Sequence, residues 1–212
     1  LNSNKARVNY NAAEEPQILP FETTRQRYQI ATTARLVAWK GIDGIIRALS
    51  QVRKRFPTAT LVVAGDGPEM ANLKNLVAKL HLQEAVQFLG NVSRAETWQL
   101  RKNSHVYVLN STYEGLPHTV LTSFAAGIPT IATNISGTNE AVYDNQTGLL
   151  VKPRDDDALA RAIEKLFQDQ VLADKLVENG LALLKDKFSW ESHLQNLASA
   201  FQSVLLKPSH KV

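Results

Sequence analysis

Apolar residues fall in short continuous or alternating runs through the first two thirds of the chain, and at helical spacing in the last third. Gln29 to Ala34 predicts a strand, and Ile42, Ile45, Ile46, Leu49 and Val52 then share one face of a helix. ATLVVA (59–64) predicts a buried strand. Gly65-Asp66-Gly67-Pro68 breaks it, and the next helix carries Met70, Leu73, Leu76, Val77 and Leu80. A short strand at 86–89, a short helix at 94–102 and a strand at 106–109 follow. A turn-rich stretch then leads into a helix running through Ala126. Residues 129–133 predict a strand, 138–143 a short helix and 148–151 another strand. Three helical faces close the pattern: Leu159, Ala162, Ile163 and Leu166; then Leu172, Leu176, Val177 and Leu184; then Leu194, Leu197, Ala198, Phe201 and Leu205.

Strands alternating with helices predict an α/β fold, a doubly wound parallel sheet covered on both faces. Ligands bind such sheets outside the carboxyl ends of the strands. Residues 1–27 lack periodicity and read as a lead-in segment or linker, 28–188 as the folded domain, and 189–212 as a C-terminal helix and tail.

Composition narrows the chemistry. Hydrophobic residues make up 44% of the 212 and charged residues 21%, so a sizeable core is expected. The net charge of +4 suits an anionic small ligand or an anionic membrane surface, and no dense basic run with interleaved aromatics points to nucleic acid. The absence of cysteine excludes disulfides and thiolate chemistry. No apolar run approaches the ~20 residues of a membrane span. The polar first residues do not resemble a signal peptide, so a cytoplasmic location is expected. The chain begins at Leu1 rather than Met, which points to a piece of a longer protein.

Three turns carry candidate chemistry. In TARLVAWKG (33–41), Arg35 and Lys40 lie at or just past a strand's carboxyl end. A guanidinium fork and a compact ammonium together suit a diphosphate, although both side chains could equally be solvated surface groups. Gly65-Asp66-Gly67-Pro68-Glu69 reads either as a phosphate-approaching loop or as a tight strand-to-helix connection. Met70 stands where a dinucleotide fingerprint needs its third glycine, which argues against an NAD-dependent dehydrogenase. In STYEGLPHTVLTSFAAGIP (111–129), Pro117 suits a helix start, leaving the N–H groups of His118, Thr119 and Val120 open toward the strand's end. A helix N-terminus favours phosphate, whereas the carboxylate of Glu114 favours hydroxyls. Cations and amides for phosphate, with a carboxylate for hydroxyls, describe a nucleotide-sugar site; the simpler alternative is that Glu114 caps the helix.

These residues resemble a known family. RLVAWKG, LVVAGDGPE, VQFLGNV, STYEGLPHTVLTSFAAGIPTIAT and TNEAVYDNQTGLLV, in that order, resemble the carboxyl-terminal domain of retaining GT-B glycosyltransferases of the large group related to sucrose synthase and to lipopolysaccharide, capsule and teichoic-acid transferases. VNYNAAE (8–14) resembles the start of that domain, and the likeness spans about residues 7–206. It implies one Rossmann-like half of a GT-B fold. It implies that Arg35 and Lys40 bind the donor diphosphate and that Glu114, first glutamate of an E-x7-E motif, contacts the transferred sugar. The backbone of Gly115, Leu116, Pro117 and His118 would cradle sugar and phosphate, with Thr119 and Val120 following in the helix. The loop Leu89, Gly90, Asn91 and Val92 would contact the base. The family usually needs no metal or other cofactor. The expected substrate is a nucleoside-diphosphate sugar, a UDP-sugar ahead of a GDP- or ADP-sugar.

Two departures stand out. Thr122 occupies the second glutamate's position, where the family holds the ribose hydroxyls, and Ala34 replaces a glycine before Arg35. The amino-terminal domain, which supplies the acceptor site, is absent from this chain. The last helix, which would cross back to it, is therefore expected to leave an apolar patch. The resemblance thus implies a donor-binding domain that binds nucleotide-sugar without turnover on its own. In the whole enzyme it would serve transfer to an acceptor glycan or glycolipid in cell-surface polysaccharide or glycolipid synthesis, with possible peripheral membrane association. The alternatives are a sugar-nucleotide 2-epimerase, for which Glu114 and His118 would have to supply acid and base, and a non-catalytic binding module, motivated by Thr122.

Overall fold

A computed structural model describes residues 8–13 and 25–205. Among these residues, six strands form one parallel sheet: β1 (Gln29–Thr33), β2 (Thr60–Ala64), β3 (Val86–Gly90), β4 (Val106–Leu109), β5 (Thr130–Thr133) and β6 (Leu149–Val151). Their spatial order is β3-β2-β1-β4-β5-β6, so the winding direction reverses between β1 and β4. The four inner strands are almost wholly buried and read as continuous apolar or Thr-containing runs, as a sheet covered on both faces requires. β3, at one edge, is only partly covered.

Among the described residues, seven helices accompany the sheet: α1 (Ile42–Val52), α2 (Met70–Lys79), α3 (Arg94–Asn103), α4 (His118–Ala125), α5 (Asp156–Gln168), α6 (Gln170–Lys187) and α7 (Trp190–Leu205). Two hydrophobic clusters fill the layers. One joins α1, α2 and α5 to the sheet through Ile45, Ile46, Leu49, Ile163 and Leu166; the other joins α4 and the end of α6 through Val120, Leu121, Phe124 and Leu184. The α/β doubly wound, Rossmann-like expectation therefore holds. α3 starts at a capping box in which Ser93 Oγ accepts from the Glu96 N–H and the Glu96 carboxylate accepts from the Ser93 N–H.

The sequence pattern fails at 138–143. A 3-10 turn at Thr138–Glu140 stands where a helix was expected. The Thr147 hydroxyl donates to the Ala141 carbonyl and accepts from the Tyr143 N–H, which diverts both groups from a helical ladder. The pattern on 172–184 is also shifted in detail: α6 buries Ala173, Leu176, Gly180 and Leu184, with Leu172 and Val177 at the margin.

The expected apolar patch on the last helix is present, since Leu194 and Phe201 on α7 are more than half exposed. The start of α7 is tied to residues 8–13. His193 Nδ1 lies 2.7 Å from the Tyr10 carbonyl, the Ala13 N–H donates to Phe188 O, and the Tyr10 and Phe188 rings pack edge to face. Residues 1–7, 14–24 and 206–212, the remainder of the predicted linker and tail, lie outside the described residues.

Candidate functional site

The reversal between β1 and β4 splays apart the loops that leave their carboxyl ends, opening the crevice in which such sheets bind ligands. After β1 the chain makes a 3-10 turn, Ala38–Lys40, and Gly41 follows in the left-handed region at φ 62°. A Cβ on Gly41 would stand 2.2 Å from the Asn110 carbonyl at the end of β4, so glycine is required for both reasons. Asn110 Nδ2 donates to the Gly41 carbonyl at 2.8 Å, and the Thr112 N–H donates to the Trp39 carbonyl at 2.8 Å. These bonds strap the two loops together across the reversal point.

The strap brings Lys40 and Glu114 together, 74 residues apart in sequence. Lys40 Nζ lies 2.5 Å from Glu114 Oε1, which also accepts from Ser111 Oγ at 2.6 Å. Both side chains are largely covered. The sequence reading gave them separate tasks, phosphate for Lys40 and sugar for Glu114; in the ligand-free fold they pair with each other. Glu114 does not cap α4. The residue preceding that helix is Pro117, and no side-chain cap is present. A further residue acts on Glu114 from behind. Gly137 sits so close that a Cβ there would lie 1.9 Å from the Gly115 carbonyl oxygen and 2.3 Å from that of Glu114.

The first turn of α4 corrects one expectation. The Val120 N–H donates to the Pro117 carbonyl at 3.0 Å, so it is not an open donor. The helix closes its first turn early, and the expected set of three open amides loses Val120. His118 is exposed, Thr119 and Leu116 are half-buried, and Gly115 has open space around its α-carbon. The Thr122 hydroxyl folds back on its own helix, donating toward the carbonyls of His118 (3.0 Å) and Thr119 (3.1 Å).

Arg35 occupies the other end of the crevice. It is exposed and, with Asp66, Gly67 and Asn91, lines a shallow basin that also abuts the end of β3. The loop Leu89–Val92 is thus brought to Arg35, with Leu89 and Val92 packed on the core and Asn91 exposed. The glycines of Gly65-Asp66-Gly67 serve backbone packing. A Cβ on Gly65 would lie 1.9 Å from the Ala34 carbonyl oxygen, and one on Gly67 2.4 Å from that of Leu36. The Leu36 N–H donates to Asp66 O and the Glu69 N–H to Leu36 O, which fixes the backbone on either side of Arg35. The tight-connection reading of this loop fits the structure. Pro68 lies in the turn before α2.

Sequence reasoning missed one charged group. Arg101, on α3, is only 5% exposed, and its guanidinium is bonded to a hydroxyl and a backbone carbonyl, with no carboxylate partner among the described residues. One nitrogen donates to Thr33 Oγ1 at 2.5 Å, at the carboxyl end of β1, and another to the Thr97 carbonyl; its Nε has no partner. The guanidinium lies 5.1 Å from the centre of the Tyr107 ring, whose hydroxyl is 3.0 Å from the same Thr33 oxygen. A buried cation therefore lies just beneath the crevice. Its signal in the sequence is faint: an arginine beside Leu100 on the inward side of a short polar helix.

Comparison with known proteins identifies the family and the fold. Residues 15–182 match the family model described as "Glycosyl transferases group 1". The chain belongs to this family. It is 32% identical over 190 residues to the glycogen synthase of Mycobacterium tuberculosis, covering 88% of this chain and 45% of that protein. It is 31% identical over 180 residues to a GDP-mannose-dependent α-(1-6)-phosphatidylinositol monomannoside mannosyltransferase of the same organism, covering 82% and 47%. This group 1 chain thus spans about half the length of the curated relatives it matches. A glycosyltransferase from Rickettsia africae has the same fold, with a TM-score of 0.78 or better shared by an Anabaena protein, HepE, solved with UDP. The values are 0.85 and 0.78, at 24% identity each, covering 98% and 84% of this chain and 59% and 49% of those. No helix among the described residues is long and apolar enough to cross a membrane.

Proposed function

We propose that this chain is the donor-binding half of a retaining glycosyltransferase, which moves a sugar from a nucleoside-diphosphate sugar to an acceptor hydroxyl. The observation that carries the reading is the Lys40–Glu114–Ser111 corner at the reversal point of a group 1 chain. A cation, a carboxylate and the open amides of His118 and Thr119 converge where one ligand would present both phosphate and hydroxyls. On donor binding, Lys40 exchanges Glu114 for a phosphate oxygen, and the released carboxylate accepts hydrogen bonds from sugar hydroxyls. Arg35 takes the second phosphate or its approach, and Leu89–Val92 meets the base through backbone groups. In transfer, the anomeric C–O bond to phosphate breaks as the acceptor oxygen bonds to the anomeric carbon, the acceptor's proton passes to the departing diphosphate, and negative charge gathers on that diphosphate. Preorganised cations and amides aimed at that charge supply the largest catalytic contribution.

UDP-sugar is the donor favoured here, consistent with the neighbouring fold solved with UDP. The acceptor is a glycan or glycolipid held mainly by a domain outside this chain, and the site works without metal. The location is cytoplasmic. The isolated chain binds nucleotide and does not transfer sugar. A second reading, a nucleotide-sugar-binding module without catalysis, is favoured by the Thr122 hydroxyl being turned onto its own helix.

Titration calorimetry of this chain with UDP, GDP and ADP tests the reading, with Arg35→Ala and Thr122→Glu alongside. One nucleotide should bind, Arg35→Ala should weaken it strongly, and Thr122→Glu should keep or tighten it. Failure of all three nucleotides to bind, here and in a longer chain carrying the preceding domain, would overturn the reading. Sugar transfer by the isolated chain would overturn the claim of inactivity.

A further inference from the structure

A second cavity lies on the α1–α5 flank of the strap, away from Arg35 and the Leu89–Val92 loop. It measures about 460 Å³, and its walls include Trp39, Asp43, Arg47, Thr112, Arg154 and Asp156. That volume is within the ~300–1,000 Å³ of ordinary small-molecule sites. Its walls come from three places in the fold: the strap itself, the first turns of α1, and the start of α5.

The chemistry of these walls is specific. Trp39 is 48% exposed, a large apolar surface left at the rim of a cavity rather than packed in the core. Arg47 bridges two carboxylates, reaching Asp43 Oδ2 at 2.9 Å and Asp156 Oδ2 at 2.5 Å, and so holds both in place. Two guanidiniums stand against two carboxylates in the lining, so the cavity has no net charge to select an ion. The bridged carboxylates keep free lone pairs that accept hydroxyl hydrogens, and the Thr112 hydroxyl, which points to the Trp39 carbonyl at 3.5 Å, can accept another. An exposed indole face beside immobilised, charge-balanced polar groups matches a ligand with one apolar face and an equatorial rim of hydroxyls. That ligand is a neutral pyranose ring.

We propose that this cavity is a saccharide-binding subsite distinct from the donor crevice, with the ring's C–H face against Trp39 and its hydroxyls on Asp43, Arg47 and Asp156. Its service as a seat for part of the acceptor glycan rests on the proposed function; the binding itself does not. The strap makes the two sites neighbours, because Trp39 precedes Lys40 and Thr112 lies two residues before Glu114. A saccharide here would lie beside the donor corner without occupying it.

The test follows the indole N–H signal of Trp39 in ¹H–¹⁵N spectra of the whole chain. The chain is titrated with the methyl glycosides of glucose, mannose, galactose and N-acetylglucosamine at millimolar concentrations, with and without saturating UDP. The expected result is a saturable shift of the Trp39 signal with at least one glycoside, preserved in UDP, while the Trp98 and Trp190 signals stay put. Calorimetry with that glycoside should show binding lost in Trp39→Ala and weakened about tenfold in Asp43→Asn, the size of one hydrogen bond to a charged group. Asp43→Asn keeps the inference testable if Trp39→Ala does not fold. Three results overturn it: no glycoside shifts Trp39, UDP displaces the glycoside, or binding survives in both variants. Glycoside binding without nucleotide binding, in this chain and in a longer one carrying the preceding domain, would sink the donor reading and leave this one standing.

Discussion

The Glu114 end of the crevice and the Arg35 end are built on opposite plans. At the first, the charged side chains are tied: Lys40 and Ser111 hold Glu114, Asn110 holds Gly41, and Gly137 presses on the backbone behind. At the second, Arg35 stands exposed over a shallow basin, and its backbone alone is fixed, by the glycine loop at 65–67. The difference teaches where the cost of binding falls. A ligand at the Glu114 end must break an ion pair but orders little that is not ordered already. One at the Arg35 end must immobilise a long side chain and gains a charge-assisted bond in return.

The largest expected effect comes from the support behind the tied end. Gly137→Ala drives a methyl group into two carbonyl oxygens, and it should destabilise the fold by about 3 kcal/mol or displace the 114–115 backbone. Chemical denaturation would measure it. An unchanged midpoint together with unchanged nucleotide binding would mean that the close approach is not what positions Glu114.

Next, the two cations should behave differently when removed. Arg35→Ala should weaken nucleotide binding about 10- to 100-fold with stability within ~0.5 kcal/mol of the parent, because the side chain is exposed. Lys40→Ala should weaken binding too, and should also cost about 1 kcal/mol of stability, since Glu114 then keeps only Ser111. Equal stability losses in the two variants would erase the distinction between a tied and an open end.

Arg101→Met sharpens the comparison from below. An unpaired buried cation is costly, and methionine fills similar volume, so the fold should hold or gain stability. Nucleotide diphosphate binding should weaken between about two- and tenfold through lost positive potential, with free nucleoside affected less. If UDP and uridine weaken alike, Arg101 acts only on shape.

The smallest effect is a pH dependence set far from the crevice. Burial holds the His105 pKa below its ordinary value, with Arg25 and Arg27 adding repulsion, and its Nδ1 accepts the Tyr28 N–H at 3.2 Å. The unfolded chain therefore binds a proton more readily than the folded one. Stability from this group is full above the unfolded histidine value, about 6.5, and is lost as pH falls below it. His105→Gln should flatten that slope in denaturation measured between neutral and mildly acidic pH. Nucleotide binding should change no more there than in the parent.

Much of this was legible in the chain. The 3.6-residue spacing of Ile42, Ile45, Ile46 and Leu49 and the run at 59–64 fixed a doubly wound sheet, because burial on both faces leaves few polar positions in the strands. The turn at 114–117 and the cations at 35 and 40 stood out for the same reason, as polar chemistry placed where a core pattern stops. Less visible were the 3-10 turn at 138–140, decided by a threonine seven residues beyond its end, and Arg101, whose burial depends on what α3 is packed against.

Local spacing determined the elements, the location of the crevice and the type of group brought to it, because these follow from periodicity and turn chemistry within a dozen residues. Only the tertiary structure decided which groups meet. It paired Lys40 with Glu114, took Val120 out of the set of open amides, and set Trp39 beside Arg47 and Asp156 to line a second cavity. Each of these depends on residues brought together by chain reversal, whose separation is fixed by the sheet's winding and by backbone contacts only glycine permits.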